Sequence, residues 1–228
     1  MRAASAPSGT GTAEPPPGLP APGTRDARDA VAVDVVGQLA HFWTRPDLGE
    51  ARSSTQVRAV EVDVLNGMSS APGRPFLWLP QGKRKRLELV DEYERLFVGP
   101  GQVPCPPYES FWREDVPIDV RRSLMGPCVA DLHRCYRELG LVLSREVGEL
   151  PDHIGVELEA LAYAMSSEET RPVARRILVE HLAHFVPRLC RAVAKETTHG
   201  FYRDLARLTA EWFAEASRGT EAGSDATT

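Results

Sequence analysis

No uninterrupted apolar run in this chain reaches the roughly 18 residues needed to cross a bilayer, so stable membrane insertion is not expected. A basic excess is also missing. Lys and Arg total 27 against 32 Asp and Glu, for a formal net charge of −5. Nucleic-acid binders usually carry the opposite balance, so nucleic acid is excluded as a partner and a basic one is mildly favoured. Cysteine is scarce: Cys105, Cys128, Cys135 and Cys190 show no C-x-x-C spacing, and no basic-then-apolar export segment precedes them. Reduced, partly buried thiols in a cytoplasmic protein are the expectation. The glycine-rich phosphate loop, the dinucleotide fingerprint and the hydrolase elbow are all missing, so nucleotide and acyl-transfer chemistry have no support. Neither a fixed-period repeat nor a heptad run is visible.

What is present suits one domain of roughly 200 residues with a sizeable core. Of 228 residues, 42% are hydrophobic, but they are unevenly spread. Residues 1–25 are Pro- and Gly-rich, with almost no large apolar side chain to offset ordering entropy, so a disordered tail is expected. Residues 217–228 are expected to form a second, shorter one, leaving 26–216 as the folded domain. From Asp26 to Trp43, Val31, Val35, Leu39 and Phe42 recur at helical spacing, widened by Val36, Ala40 and Trp43, and Pro46 stops the pattern. Ser53 to Leu65 reads as a second helix; Val60, Val62 and Val64 also alternate as a strand would, and the helical neighbours favour helix. A loop is expected at 66–82. The next helix opens on Lys83-Arg84-Lys85-Arg86, a solvated face in so acidic a chain, carries Leu89, Tyr93 and Leu96, and ends at Gly99-Pro100-Gly101. Residues 99–117 form a long loop dense in aromatics, Tyr108, Phe111 and Trp112, which either pin it to the core or face a ligand. Helices are expected at 118–125, 127–140 (stopped by Gly140), 151–165, 168–195 with a kink or break at Pro187, and 199–216. The fold class is all-α, a single irregular helical domain of about eight to ten helices.

One stretch organises the rest: Glu149-Leu150-Pro151-Asp152-His153-Ile154. Pro151 suits a first helical position, and Asp152 suits the unpaired N–H groups and positive dipole end there. His153 is the side chain whose charge ordinarily changes near neutral pH. Ile154, Leu158, Leu161 and Met165 anchor this helix as a core stripe. Sequence neighbours at a helix start point in different directions, so an Asp152–His153 dyad in a small helical hydrolase is an alternative without an assigned nucleophile. His181 and His184, three apart on a helix, lack a third ligand and read as packed or surface residues; no metal is expected. Cys128 and Cys135 read as small core residues.

Three stretches together resemble the TorD/DmsD family of redox-enzyme maturation chaperones, to which the nitrate reductase delta-type chaperones are related. They are Glu92-Tyr93-Glu94-Arg95-Leu96-Phe97-Val98-Gly99-Pro100-Gly101, Pro106-Pro107-Tyr108-Glu109-Ser110 and Pro151-Asp152-His153-Ile154. Leu150 stands where the family often has Glu. The resemblance covers about 28–216. It implies a TorD-like helical fold, no catalysis and no cofactor of its own. It also implies a cytoplasmic partner: the apo form of a molybdopterin oxidoreductase catalytic subunit, held by its twin-arginine signal peptide while molybdenum cofactor is inserted. Carried over, the peptide-binding positions are Tyr93, Leu96, Phe97, Pro107, Tyr108, Trp112, Asp152 and His153. An arginine pair beside an apolar segment calls for an apolar groove edged by carboxylates, for which Glu109, Asp152 and Glu157 are candidates. Such a protein is expected as a monomer or dimer. A dedicated accessory subunit or interaction module of an oxidoreductase is the other binding-class reading.

Overall fold

The computed structural model describes residues 25–46, 83–117, 124–143 and 149–224. The expected helix at 53–65, the loop at 66–82, the N-terminal tail and most of the helix at 118–125 lie outside the described residues. Leu124 and Met125 form a turn.

The fold is all-α, and among the described residues the only β-type pairing is one isolated bridge. The first helix, α1, spans Arg25–Trp43. Val35, Val36, Leu39, Ala40, Phe42 and Trp43 are buried, whereas Val31, which the pattern put on the same stripe, is half exposed. The second, α2, spans Lys83–Tyr93 and widens into a π-helical turn, Glu94–Val98. Gly99 closes that turn, donating its N–H to Glu94 O at 2.8 Å from φ 104°, a conformation that favours glycine. Three more helices follow: α3 (Glu109–Trp112), α4 (Cys128–Glu138) and α5 (Ile154–Met165). The loop expected at 99–117 therefore contains a helical turn.

The long helix expected at 168–195 is continuous but irregular. It is built from α6 (Arg171–Arg176), a π segment (Ile177–Leu182) and α7 (Ala183–Glu196). Pro187 lies inside α7 and offers no N–H one turn back. The departure from α geometry sits upstream, in the π segment. The last helix, α8, spans Gly200–Ser224, past the end expected at 216.

The core lies where α1, α5, α7 and α8 converge. An aromatic cluster fills it: Trp43, Tyr93, Phe97 and Tyr202 have ring centroids 5.0–6.5 Å apart along the chain of contacts. Its polar atoms are satisfied internally, Trp43 Nε1 donating to Thr209 Oγ1 at 3.0 Å and the Tyr202 hydroxyl to Leu89 O at 3.2 Å. Gly155 permits the contact between α1 and α5. A Cβ there would stand 2.9 Å from Thr44 Cγ2 and 3.2 Å from Ala40 O. Among the described residues, no helix is long and apolar enough to cross a membrane.

Candidate functional site

The start of α5 is built differently from the sequence expectation. Pro151 and Asp152 precede the helix in a turn closed by His153 N–H on Leu150 O at 3.1 Å. His153, not Asp152, is the N-cap: its Nδ1 accepts from Gly155 N–H at 3.0 Å. The N–H of Ile154 goes to Pro107 O at 2.8 Å, and Glu109 N–H to Asp152 O at 2.8 Å. These two bonds form the antiparallel bridge between Tyr108 and His153. The loop thus satisfies a helix-end donor that would otherwise need a side chain or water.

Side chains reinforce the junction. Asp152 Oδ2 accepts from Ser110 N–H at 3.2 Å and from the Ser110 hydroxyl at 2.5 Å. With that proton committed, Ser110 Oγ accepts from Gly126 N–H at 2.8 Å and from the Cys128 thiol at 3.3 Å. The Tyr136 hydroxyl donates to Pro151 O at 2.7 Å. Trp112 Nε1 donates to Pro106 O at 2.6 Å, and the Tyr108 hydroxyl to Glu149 Oε2 at 3.3 Å. The Tyr108 ring also stands edge-on to His153 at 5.5 Å.

Two of the three sequence stretches therefore meet, but not as an open groove. Asp152, expected at an exposed helix mouth, and His153, expected on the surface, are both fully buried. Their burial follows from the bridge, which lays the loop across them. Tyr93, Leu96 and Phe97 face the aromatic core and are buried too, because that is where their apolar rings and chains find partners. Leu96 O nevertheless ties the first stretch to the loop by accepting from Cys105 N–H at 3.0 Å. Pro107 and Glu109 are buried, while Tyr108 and Trp112 stay partly exposed. Leu124 and Met125, each about half exposed, adjoin Gly126 and its bond to Ser110.

The electrostatics follow from this burial. Desolvation lowers the His153 pKa to about 4, so the ring is neutral at physiological pH. Its Nδ1 accepts a hydrogen bond, so the proton sits on Nε2, 3.9 Å from Glu149 Oε2. Glu157 is also sealed in. Burial and then the Glu109 charge push its pKa well above the usual carboxylate range, and neither of its oxygens has a hydrogen-bond partner. Asp152 and His153 bond to different groups, so they do not form a catalytic dyad.

A second polar centre lies behind α3. Glu109 pairs with Arg113 and with His181 Nδ1 at 3.0 Å, and His181 Nε2 lies 2.9 Å from Asp131 Oδ2. Burial lowers the pKa of His181, but hydrogen bonds to Cys135 and Glu109 outweigh it and hold it at about 10. His184, three residues on, is exposed. Besides Glu109, the residues that surround His181 come from α4, Asp131 and Cys135, whose i, i+4 spacing is their one sequence signal. All four cysteines are buried and unpaired.

This all-α arrangement is shared with a solved protein from Archaeoglobus fulgidus described as a candidate redox enzyme maturation protein. The TM-score is 0.52 at 21% identity, over 80% of this chain and 93% of that one, which is a likeness of fold. The chain belongs to the nitrate reductase delta subunit family, whose model matches residues 71–191. It is 31% identical over 131 residues to the Tat proofreading chaperone DmsD of Salmonella typhi, covering 56% of this chain and 61% of that relative. The figure is 30% over 131 residues for the DmsD of Salmonella typhimurium. The chain spans about three fifths of the length of these curated relatives.

Proposed function

We propose that this protein is a cytoplasmic proofreading chaperone without catalytic activity. In this reading it binds the twin-arginine signal peptide of a molybdopterin oxidoreductase of the DMSO reductase family, delays export and assists molybdenum cofactor insertion. The observation that carries the reading is the bridged junction of Pro107-Tyr108-Glu109-Ser110 with Asp152-His153-Ile154, in a chain whose relatives are named as proofreading chaperones. Tyr108 and Trp112, with Glu149 beside the Tyr108 hydroxyl, supply partly exposed aromatic and acidic surface at that junction. Apolar segments and guanidinium groups are recognised by such surface. Pro107, Glu109, Asp152 and His153 act from beneath by holding the loop in place, and Tyr93, Leu96 and Phe97 anchor it through the core.

Titration of a fluorescent signal peptide tests this. Because release must follow, saturation is expected at about micromolar concentration, near −8 kcal/mol. Replacing the arginine pair by lysines, or Tyr108→Ala with Trp112→Ala, should weaken binding about tenfold or more with the far-UV spectrum unchanged. Lack of saturation at high micromolar peptide overturns the reading. The family's description as a subunit supports a second one, an accessory subunit. A lasting stoichiometric complex with the mature oxidoreductase would favour it.

A further inference from the structure

We propose that Asp131, Cys135 and His181 form a binding site for one divalent transition-metal ion, with zinc the best match to its donors. The inference does not depend on the chaperone reading. One oxygen, one sulfur and one imidazole nitrogen from these residues lie within 4.8 Å of one another. Zinc bonded tetrahedrally to such donors holds them about 3.3–3.6 Å apart. The site therefore forms by side-chain movements of up to about 1.2 Å, including a widening of the 2.9 Å gap between Asp131 Oδ2 and His181 Nε2. The ion takes the place of the proton that otherwise bridges those two atoms.

The supporting groups are already in place. Asp131 and Cys135 are one turn apart on α4 and present the same face. Opposite them, the π segment carries His181, and π turns recur at functional sites. Glu109 Oε2 accepts from His181 Nδ1–H at 3.0 Å, which leaves Nε2 to ligate the ion once the proton it shares with Asp131 is displaced. That carboxylate–histidine arrangement fixes ring orientation and basicity in metal sites. Arg176 Nε–H donates to Cys135 Sγ at 3.1 Å, as N–H groups do to ligating sulfur, and the same guanidinium pairs with Glu138. Arg134 Nε–H holds the other oxygen of Asp131, Oδ1, at 2.9 Å, leaving Oδ2 to bind alone. With the thiolate formed, two negative ligands and a neutral imidazole balance the two positive charges of the ion. Cys135 and His181 are buried, but the Asp131 side chain is 23% exposed, so the ion enters there and its fourth position faces water. A mixed sulfur, nitrogen and oxygen set with an open position suits zinc, whereas magnesium and calcium take oxygen ligands.

The test is titration of the tag-free, metal-stripped full chain with Co2+, followed by displacement with Zn2+. One equivalent should bind with a sulfur-to-cobalt charge-transfer band and the intense visible bands of four-coordinate cobalt, and Zn2+ should abolish both. Cys135→Ser should remove the charge-transfer band, while Cys128→Ser keeps it. Should Cys135→Ser not fold, Asp131→Asn on the partly exposed side takes its place, with at least a tenfold loss of Zn2+ affinity against a chromophoric chelator expected. No thiolate band with wild type, a band that survives Cys135→Ser, or unchanged Zn2+ affinity in Asp131→Asn would overturn the proposal.

Discussion

His153 stands out in the sequence as a group that could change charge between pH 5.5 and 8. Burial removes it from that range, since its pKa falls to about 4. Between an unfolded value near 6.5 and the folded value of about 4, the unfolded chain binds the extra proton. Stability from this residue is therefore full above pH 6.5 and lost as pH falls toward 4. His153→Asn retains an N-cap acceptor and carries no such proton. The variant should lose about 2–3 kcal/mol of acid-induced destabilisation relative to wild type between pH 7 and pH 4, read from urea midpoints. An acid limb identical in the two proteins would contradict this assignment. Asp152 changes role in the same way. An exposed cap would cost only about 1 kcal/mol on removal. As a fully buried acceptor for two Ser110 donors, it should cost about 3 kcal/mol in Asp152→Ala, because those donors are left unpaired. Thermal melts at pH 7 measure the difference.

At the scale of elements, most helices were legible and their ends were not. The helical spacing in α1, α2, α5, α7 and α8 comes from local apolar patterning, which survives any tertiary arrangement. Gly140, expected as a stop, does lie just past α4 with φ 70°. The helix α5 does not begin at Pro151, although Pro151 and Asp152 both suit a helix start locally. What delays the helix to Ile154 is a hydrogen bond from a loop more than 40 residues earlier, which no local rule contains. The π segments were invisible for a related reason: they are set by how a helix meets its neighbours. Helix approach also explains Gly155, which reads as an ordinary weak helix former. Gly155→Ala should destabilise by about 1–3 kcal/mol despite alanine's better helix propensity, since its methyl meets Thr44 and the Ala40 carbonyl. A raised melting temperature in that variant would refute the close contact.

The whole molecule is tied together by a few buried polar links between distant segments. Glu92 on α2 accepts from the Thr197 hydroxyl and the Thr198 N–H, each at 2.8 Å, and pairs with Arg95 at 2.8 Å. It thereby joins α2 to the turn between α7 and α8. Burial raises its pKa, but the Arg95 hydrogen bond and the two threonine donors prevail and lower it to about 2. Its contribution is present above the unfolded carboxylate value near 4.5 and lost as pH falls through about 2. Glu92→Gln should cost about 2 kcal/mol at pH 7 and much less near pH 2. Equal losses at both pH values, measured by denaturant unfolding, would show that the charge is not what matters.

The sequence alone carries the all-α class and the apolar stripes, because composition and periodicity are properties of contiguous residues, and it carries the three motif stretches as a resemblance to a family. It also identified the residues of the junction, without their exposure. Only the tertiary structure decided that Asp152 and His153 lie beneath a bridged loop, that Tyr93, Leu96 and Phe97 belong to the aromatic core, and that His181 meets Asp131 and Cys135 rather than His184. Burial and pairing depend on which distant segments come to rest together, and they set charge state and chemistry more strongly than residue type does.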